Sequence, residues 1–178
     1  MCCGGWSRAE ALRSTRPIVI FLAVLGAGLA IAWIVDRQPV ATAEVGAPAP
    51  DFTVPLLDVG DFGLAHHLES DGRPLVLNLW ASWCIPCRTE MPTLSEFAQA
   101  NPEVIVLGVA VEDTLEEAVA FADEIGVLYP VAMGDAAFEA SYPRLGLPVT
   151  YFISSDGVVT GMHNGLIDIE TLESEGGG

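Results

Sequence analysis

Lysine is missing from this chain altogether, and positive charge of any kind is scarce: seven arginines stand against 24 Asp and Glu, a formal charge of -17. Beyond Ala43 only Arg73, Arg88 and Arg144 remain. A surface this negative repels phosphate backbones, which argues against nucleic acid as a partner. It also keeps a domain soluble, and salt would relieve its self-repulsion by screening. Cysteine is rare too. Cys2 and Cys3 sit at the extreme N-terminus, and Cys84 and Cys87 are the only pair further on. With His66, His67 and His163 the only histidines, and none but the adjacent pair closely spaced, the ligand pattern of a tetrahedral zinc site is lacking. No internal repeat is present. The 178 residues, 51% of them hydrophobic, suit one domain plus an appendage rather than two cores.

The appendage is one long apolar run. Ile18 to Val35 carries no charge and no strongly polar side chain, and is about long enough to cross a bilayer as a helix. Arg8, Arg13 and Arg16 precede it and only Asp36 and Arg37 follow directly, so the positive-inside bias puts the N-terminus in the cytoplasm and all that follows outside. A cleaved leader is the competing reading, because Ala41-Thr42-Ala43 has the small-x-small form of a cleavage site. The expected organisation is a cytoplasmic segment 1–17, an anchor 18–35, a linker 36–45 poor in periodicity, and a folded domain 46–178.

Within that domain, Leu75 to Trp80 reads as a buried strand leading into a helix that starts at Cys84 and runs through Leu94 and Phe97, with Pro92 expected to kink it. Val104 to Val111 is the continuous apolar run of a central parallel strand. Thr114 to Glu117 has the capping-box pattern, and Leu115, Val119, Ala122 and Ile125 make a stripe that ends at Gly126, an expected C-cap. A short amphipathic stretch follows at Ala136 to Ser141. Thr150 to Ile153 and Val158 to Met162 flank the turn triplet Ser155-Asp156-Gly157, which predicts a hairpin, and a last short helix starts at Asp168. This order predicts an α/β fold, a mixed sheet covered by helices on both faces.

Cys84 and Cys87 form a C-x-x-C at the junction of strand and helix. There the first thiol meets the unpaired backbone N–H groups and positive dipole end of the helix, which stabilise its thiolate and make Cys84 the nucleophile. Cys87, one turn inward, can resolve a mixed disulfide on Cys84. Pro86 fits because the first helical turn tolerates proline. A static structural bridge is the bland alternative, but so short a loop restrains the unfolded chain little.

The stretch Trp80 to Pro92, W-A-S-W-C-I-P-C-R-T-E-M-P, resembles the active site of the TlpA/ResA/CcmG (DsbE) thioredoxin-like proteins, bacterial enzymes anchored outside the cytoplasmic membrane. The likeness extends from Gly46-Ala47-Pro48-Ala49-Pro50-Asp51-Phe52, an opening shared with peroxiredoxins, through Gly146-Leu147-Pro148-Val149-Thr150 and Asp156-Gly157 to Gly165. It implies a thioredoxin-like fold, Cys84 attacking, Cys87 resolving, and Pro148 as a cis-proline facing the dithiol. By the same resemblance Trp80 and Trp83 are the aromatic pair flanking the site, and with Pro86 and Leu147 they are expected on the substrate side. Glu90 matches an acidic residue near the dithiol that influences its proton transfers; its alternative is a plain surface carboxylate. Asn78 departs from thioredoxin, which carries a buried acid there. Asp58 to Gly72 matches loosely, and its His66-His67 pair reads as a solvated or edge feature.

The resemblance implies a periplasmic or otherwise extracytoplasmic oxidoreductase with no cofactor beyond the redox-active Cys84–Cys87 disulfide. It would reduce disulfides in exported proteins, apocytochrome c foremost, and draw electrons from a transmembrane donor of the CcdA/DsbD type. The motif leaves direction open, so an oxidant or isomerase is an alternative. A copper or heme handling protein on the same fold is another, with His163 its candidate ligand. A thiol peroxidase is disfavoured, since no Thr-x-x-Cys pattern ends at Cys84.

Overall fold

A computed structural model describes residues 41–176 together with Ile20, Phe21 and Val24. Most of the predicted span 18–35, and Cys2 and Cys3, therefore lie outside the described residues; Ile20, Phe21 and Val24 are helical. Among the described residues no helix is long and apolar enough to cross a membrane.

The domain is organised around β3 (Leu75–Trp80), whose six residues are all buried. Side chains alternate along a strand, so its two faces serve different cores. Leu75, Leu77 and Leu79 join a cluster with Leu107, Val109, Tyr151, Phe52, Phe138 and Tyr142. Val76 points the other way, toward Leu94, Phe97 and Leu172, and Trp80 meets Met91 and Phe121 on that side. Burial on both faces explains why β3 and β4 (Ile105–Ala110) read as continuous apolar runs.

Five strands form the sheet in the order β5-β4-β3-β6-β7, with β5 at Val131–Met133, β6 at Val149–Ile153 and β7 at Val159–Asn164. β3, β4 and β5 are parallel, and β6 and β7 turn back antiparallel. α2 (Ile85–Ala100) and α3 (Leu115–Ile125) make successive crossovers in one direction along the sheet. Right-handedness then puts both on the same face. α5 (Ile169–Gly176) packs on α2. α1 (Leu64–Ser70) and α4 (Ala136–Ser141) supply Leu64 and Phe138 to the opposite core. This is the expected mixed sheet with helices on both faces.

Several expectations need correction. Ala43, inside the stretch read as linker, is buried and donates its N–H to the Ser141 carbonyl at 2.7 Å. A small hairpin, β1 (Thr53–Pro55) and β2 (Asp61–Gly63), precedes α1, and neither these strands nor α1 nor β5 was anticipated. Only His66 of the histidine pair is exposed; His67 is buried with Nε2 hydrogen-bonded to the Arg73 carbonyl at 2.9 Å. On α3 Thr114 caps the Glu117 N–H and Gly126 is the left-handed C-cap, but the reciprocal half of the capping box is not formed, since the Thr114 N–H donates to Asp113 Oδ1, and the buried stripe is Ala118, Phe121 and Ala122 while Leu115 is exposed.

Candidate active site

Strand β3 ends at Trp80, and four residues later the chain enters α2 with Cys84 as its N-cap. Cys84 and Cys87 are joined as a disulfide with Cα atoms 5.3 Å apart. The Cys87 N–H donates to Cys84 Sγ at 3.2 Å, so a backbone donor of the first helical turn is aimed at the outer sulfur. A donor so placed is what stabilises a thiolate at a helix start. Cys84 retains a small opening to solvent at 4% exposure, whereas Cys87 has none. The first sulfur is the one a partner can reach.

Around that opening the chain presents apolar surface. Trp83 and Ile85 are exposed, as is Pro86 in the first turn of α2. The Leu147–Pro148 peptide is cis. Leu79 pairs with Val149 across the sheet, so Pro148 lies one register step further, level with the end of β3 that leads to the cysteines. Pro148 is buried and Leu147, half-buried, packs against the cluster holding Cys84 and Cys87. Trp80 has no place on this rim: it is fully buried and stacks on Phe121 at 5.5 Å, so its role is packing beneath the site and not substrate contact.

Behind the cysteines lies a buried polar cluster. Glu90, three residues beyond Cys87 on α2, is fully buried, which overturns the alternative of a surface carboxylate. Asn78 is the middle residue of the β3 face that looks toward α2. Its Nδ2 donates to Glu90 Oε1 at 2.5 Å and to Thr150 Oγ1 at 3.1 Å, and Thr150 is its cross-strand partner on β6. The Ile167 N–H donates to Glu90 Oε2 at 3.1 Å. Burial pushes the Glu90 carboxyl up to about 7, against the opposing pull of the bonds from Asn78 and Ile167. Burial, and secondarily the charge of Glu90, pushes the Tyr129 phenol up as well. An amide carries both a donor and an acceptor, so Asn78 can partner Glu90 whether or not it is protonated. The arrangement places a carboxyl that titrates near neutrality one helical turn from the resolving thiol, where protons must be exchanged.

Sequence reasoning missed Thr150, Tyr129 and Ile167, since none stands near Glu90 in the chain. Strand alternation together with the β3–β6 register is the signal that brings Thr150 to Asn78. His163, opposite Thr150 on β7, bonds through Nε2 to the Leu166 carbonyl at 2.9 Å. Among the described residues no group of three His, Cys, Asp or Glu side chains is placed to hold a metal ion.

Residues 45–162 match the AhpC/TSA family. The chain is 30% identical over 164 residues to the thiol:disulfide interchange protein DsbE of Xylella fastidiosa, covering 91% of this chain and 81% of that one. It is 30% identical over 169 residues to DsbE of Escherichia coli, covering 89% and 88%. The chain belongs to the DsbE-like, thioredoxin-fold members of the AhpC/TSA family. A crystal structure of a thiol:disulfide interchange protein from Chlorobium tepidum superposes with a TM-score of 0.64 at 26% identity, covering 77% of this chain and 97% of that one. As in its DsbE relatives, the chemistry of this family member is thiol-disulfide exchange. It is an oxidoreductase whose redox group is its own cysteine pair, acting on protein thiols and disulfides.

Proposed function

We propose that the chain is a membrane-anchored, extracytoplasmic reductant of disulfides in exported proteins, with apocytochrome c as principal substrate and a transmembrane donor of the CcdA/DsbD type restoring its dithiol. The observation that carries the exchange chemistry is the Cys84–Cys87 pair at the start of α2, with the Cys87 N–H on Cys84 Sγ. The Cys84 thiolate attacks one sulfur of a substrate disulfide and expels the other as a thiolate. Cys87 then attacks Cys84 Sγ, releases the second substrate thiol, and closes the Cys84–Cys87 disulfide. Two electrons pass to the substrate, and its two expelled thiolates are protonated from solvent, which took the Cys84 proton, and by way of Glu90. Glu90 is the group placed to take up the Cys87 proton as that thiol becomes the attacking thiolate.

The anchor and its orientation rest on the apolar run 18–35 and the arginines before it. The direction and the client rest on the resemblance carried by Trp80 to Pro92. Replacing Cys87 by Ala removes the resolving thiol and should stall exchange at the mixed disulfide on Cys84. The trapped species should be enriched in proteins with a C-x-x-C-H heme-attachment motif. A broad set of unrelated exported proteins would point instead to an oxidant or isomerase. No adduct that reductant dissolves, against a Cys84→Ala, Cys87→Ala blank, would contradict the reading.

A further inference from the structure

Glu112, in the loop between β4 and α3, is a non-glycine residue in the left-handed region, with φ at 52°. A residue with a side chain adopts that conformation rarely and keeps it where its surroundings hold it there. Here three of its polar groups are engaged. Its N–H donates to Glu139 Oε1 at 3.1 Å, its carbonyl accepts the Trp83 indole N–H at 3.0 Å, and its carboxylate accepts from Arg144 Nη2 at 2.6 Å. Arg144 Nη2 also reaches Glu139 Oε2 at 2.7 Å, and with only 11% of its side chain exposed the guanidinium is enclosed between the two acids. The next residue, Asp113, accepts from the Ser82 N–H at 2.6 Å and from Ser82 Oγ at 3.0 Å.

These bonds join the two segments that flank the opening over Cys84. One is Ser82-Trp83, directly before the nucleophile. The other starts at Arg144 and runs through Leu145, which is 97% exposed, to the cis Leu147–Pro148 peptide. Neither segment is held by the sheet ladder at these positions, so their separation depends on side-chain and loop contacts. A single guanidinium nitrogen, Arg144 Nη2, donating to two carboxylates is a directional tie, unlike a mobile surface pair. Resting on the exchange function proposed above, we propose that Glu112 and Arg144 are positioning residues that set the width of the substrate groove between Trp83 and the 145–148 segment. The groove so fixed selects an extended peptide disulfide. A small disulfide needs only the opening at Cys84 and is indifferent to the brace.

The test follows single-turnover exchange by reduced full-length protein, at rising concentration of a disulfide-bonded peptide and separately with a small aromatic disulfide. Arg144→Ala should raise the half-saturating peptide concentration about ten-fold, the scale of losing a charged hydrogen bond, while the small disulfide reacts at the wild-type rate. Arg144→Lys keeps the charge but not the planar guanidinium and should recover part of the loss. Trp83→Phe, which removes the indole N–H, should add little on top of Arg144→Ala, because both act through Glu112. Should the alanine variant not fold, Glu112→Gln retains the backbone bonds and carries the same prediction. Equal slowing with both substrates, unchanged half-saturation, or additive effects of the two substitutions would overturn the brace. If wild-type protein shows no Cys84-dependent exchange even with the small disulfide, the proposed function falls, whereas wild-type exchange with unaffected variants removes only the brace.

Discussion

Glu90 shows how much a single position can hide. Its spacing from Cys87 is legible in the sequence, and so is the helix that brings the two together. Its burial is not, because that depends on Asn78 and Thr150 from two strands and on the Ile167 backbone from a third segment. Once buried, a carboxyl of ordinary value 4.5 rises to about 7. The folded protein then retains a proton that the unfolded chain releases across that interval. The contribution of Glu90 to stability is therefore fully present below about 4.5 and lost as the pH rises through about 7, a loss of roughly 3 kcal/mol. Glu90→Gln cannot ionise and should not show it. Denaturant titrations at pH 5 and pH 8 should find wild-type protein losing stability relative to the variant, and the pH course of exchange should differ between them. Parallel courses for both quantities would mean that Glu90 stays in one protonation state across this range.

At the scale of elements, the readable parts are those whose signals lie close together in the chain. β3, α4, the hairpin of β6 and β7, and both ends of α3 are marked by local patterns, the last by Thr114, Glu117 and Gly126. The three-residue strands β1, β2 and β5 are too short for a periodicity, and pairing with distant partners creates them. The α3 stripe differs for a related reason: Phe121 packs inward on Trp80, with the exposed Arg88 guanidinium 4.7 Å over its ring, leaving Leu115 outside. Gly108 of β4 reads in sequence as one small residue in an apolar run. In the fold it stands opposite Asn78, and a Cβ there would come within 3.0 Å of Trp80 Nε1 and 3.1 Å of Tyr129 Cε2. Gly108→Ala should cost about 1–3 kcal/mol by overpacking, read as a lowered urea midpoint. An unchanged midpoint would show that this layer has slack.

For the molecule as a whole, composition and one motif say more than the detailed fold. The motif from Trp80 to Pro92 is contiguous, so family and chemistry are visible in a single stretch. The ties across the site, such as Glu112 to Arg144, link residues far apart in the chain and become visible only on folding. The apolar run 18–35 with arginines on one side leads to a prediction at this scale. Protease added to intact spheroplasts should digest the catalytic domain, and full protection would reverse the proposed topology. Charge leads to another. With a net charge of -17, self-repulsion opposes the compact state, so added salt should raise the melting temperature by screening. A melting temperature that falls or stays level with salt would show that repulsion is negligible.

The central claim is that Cys84 exchanges disulfides and Cys87 resolves the intermediate. Reduced wild-type, Cys84→Ala and Cys87→Ala proteins, mixed with a disulfide-bonded protein, quenched in acid and alkylated, can be read by intact mass. Wild-type protein should lose two alkylatable thiols for every substrate disulfide opened. Cys87→Ala should accumulate a covalent adduct that reductant dissolves, and Cys84→Ala should show neither. Substrate reduction by Cys84→Ala at the wild-type rate would contradict the assignment of the nucleophile, and an inert wild-type protein would contradict exchange itself.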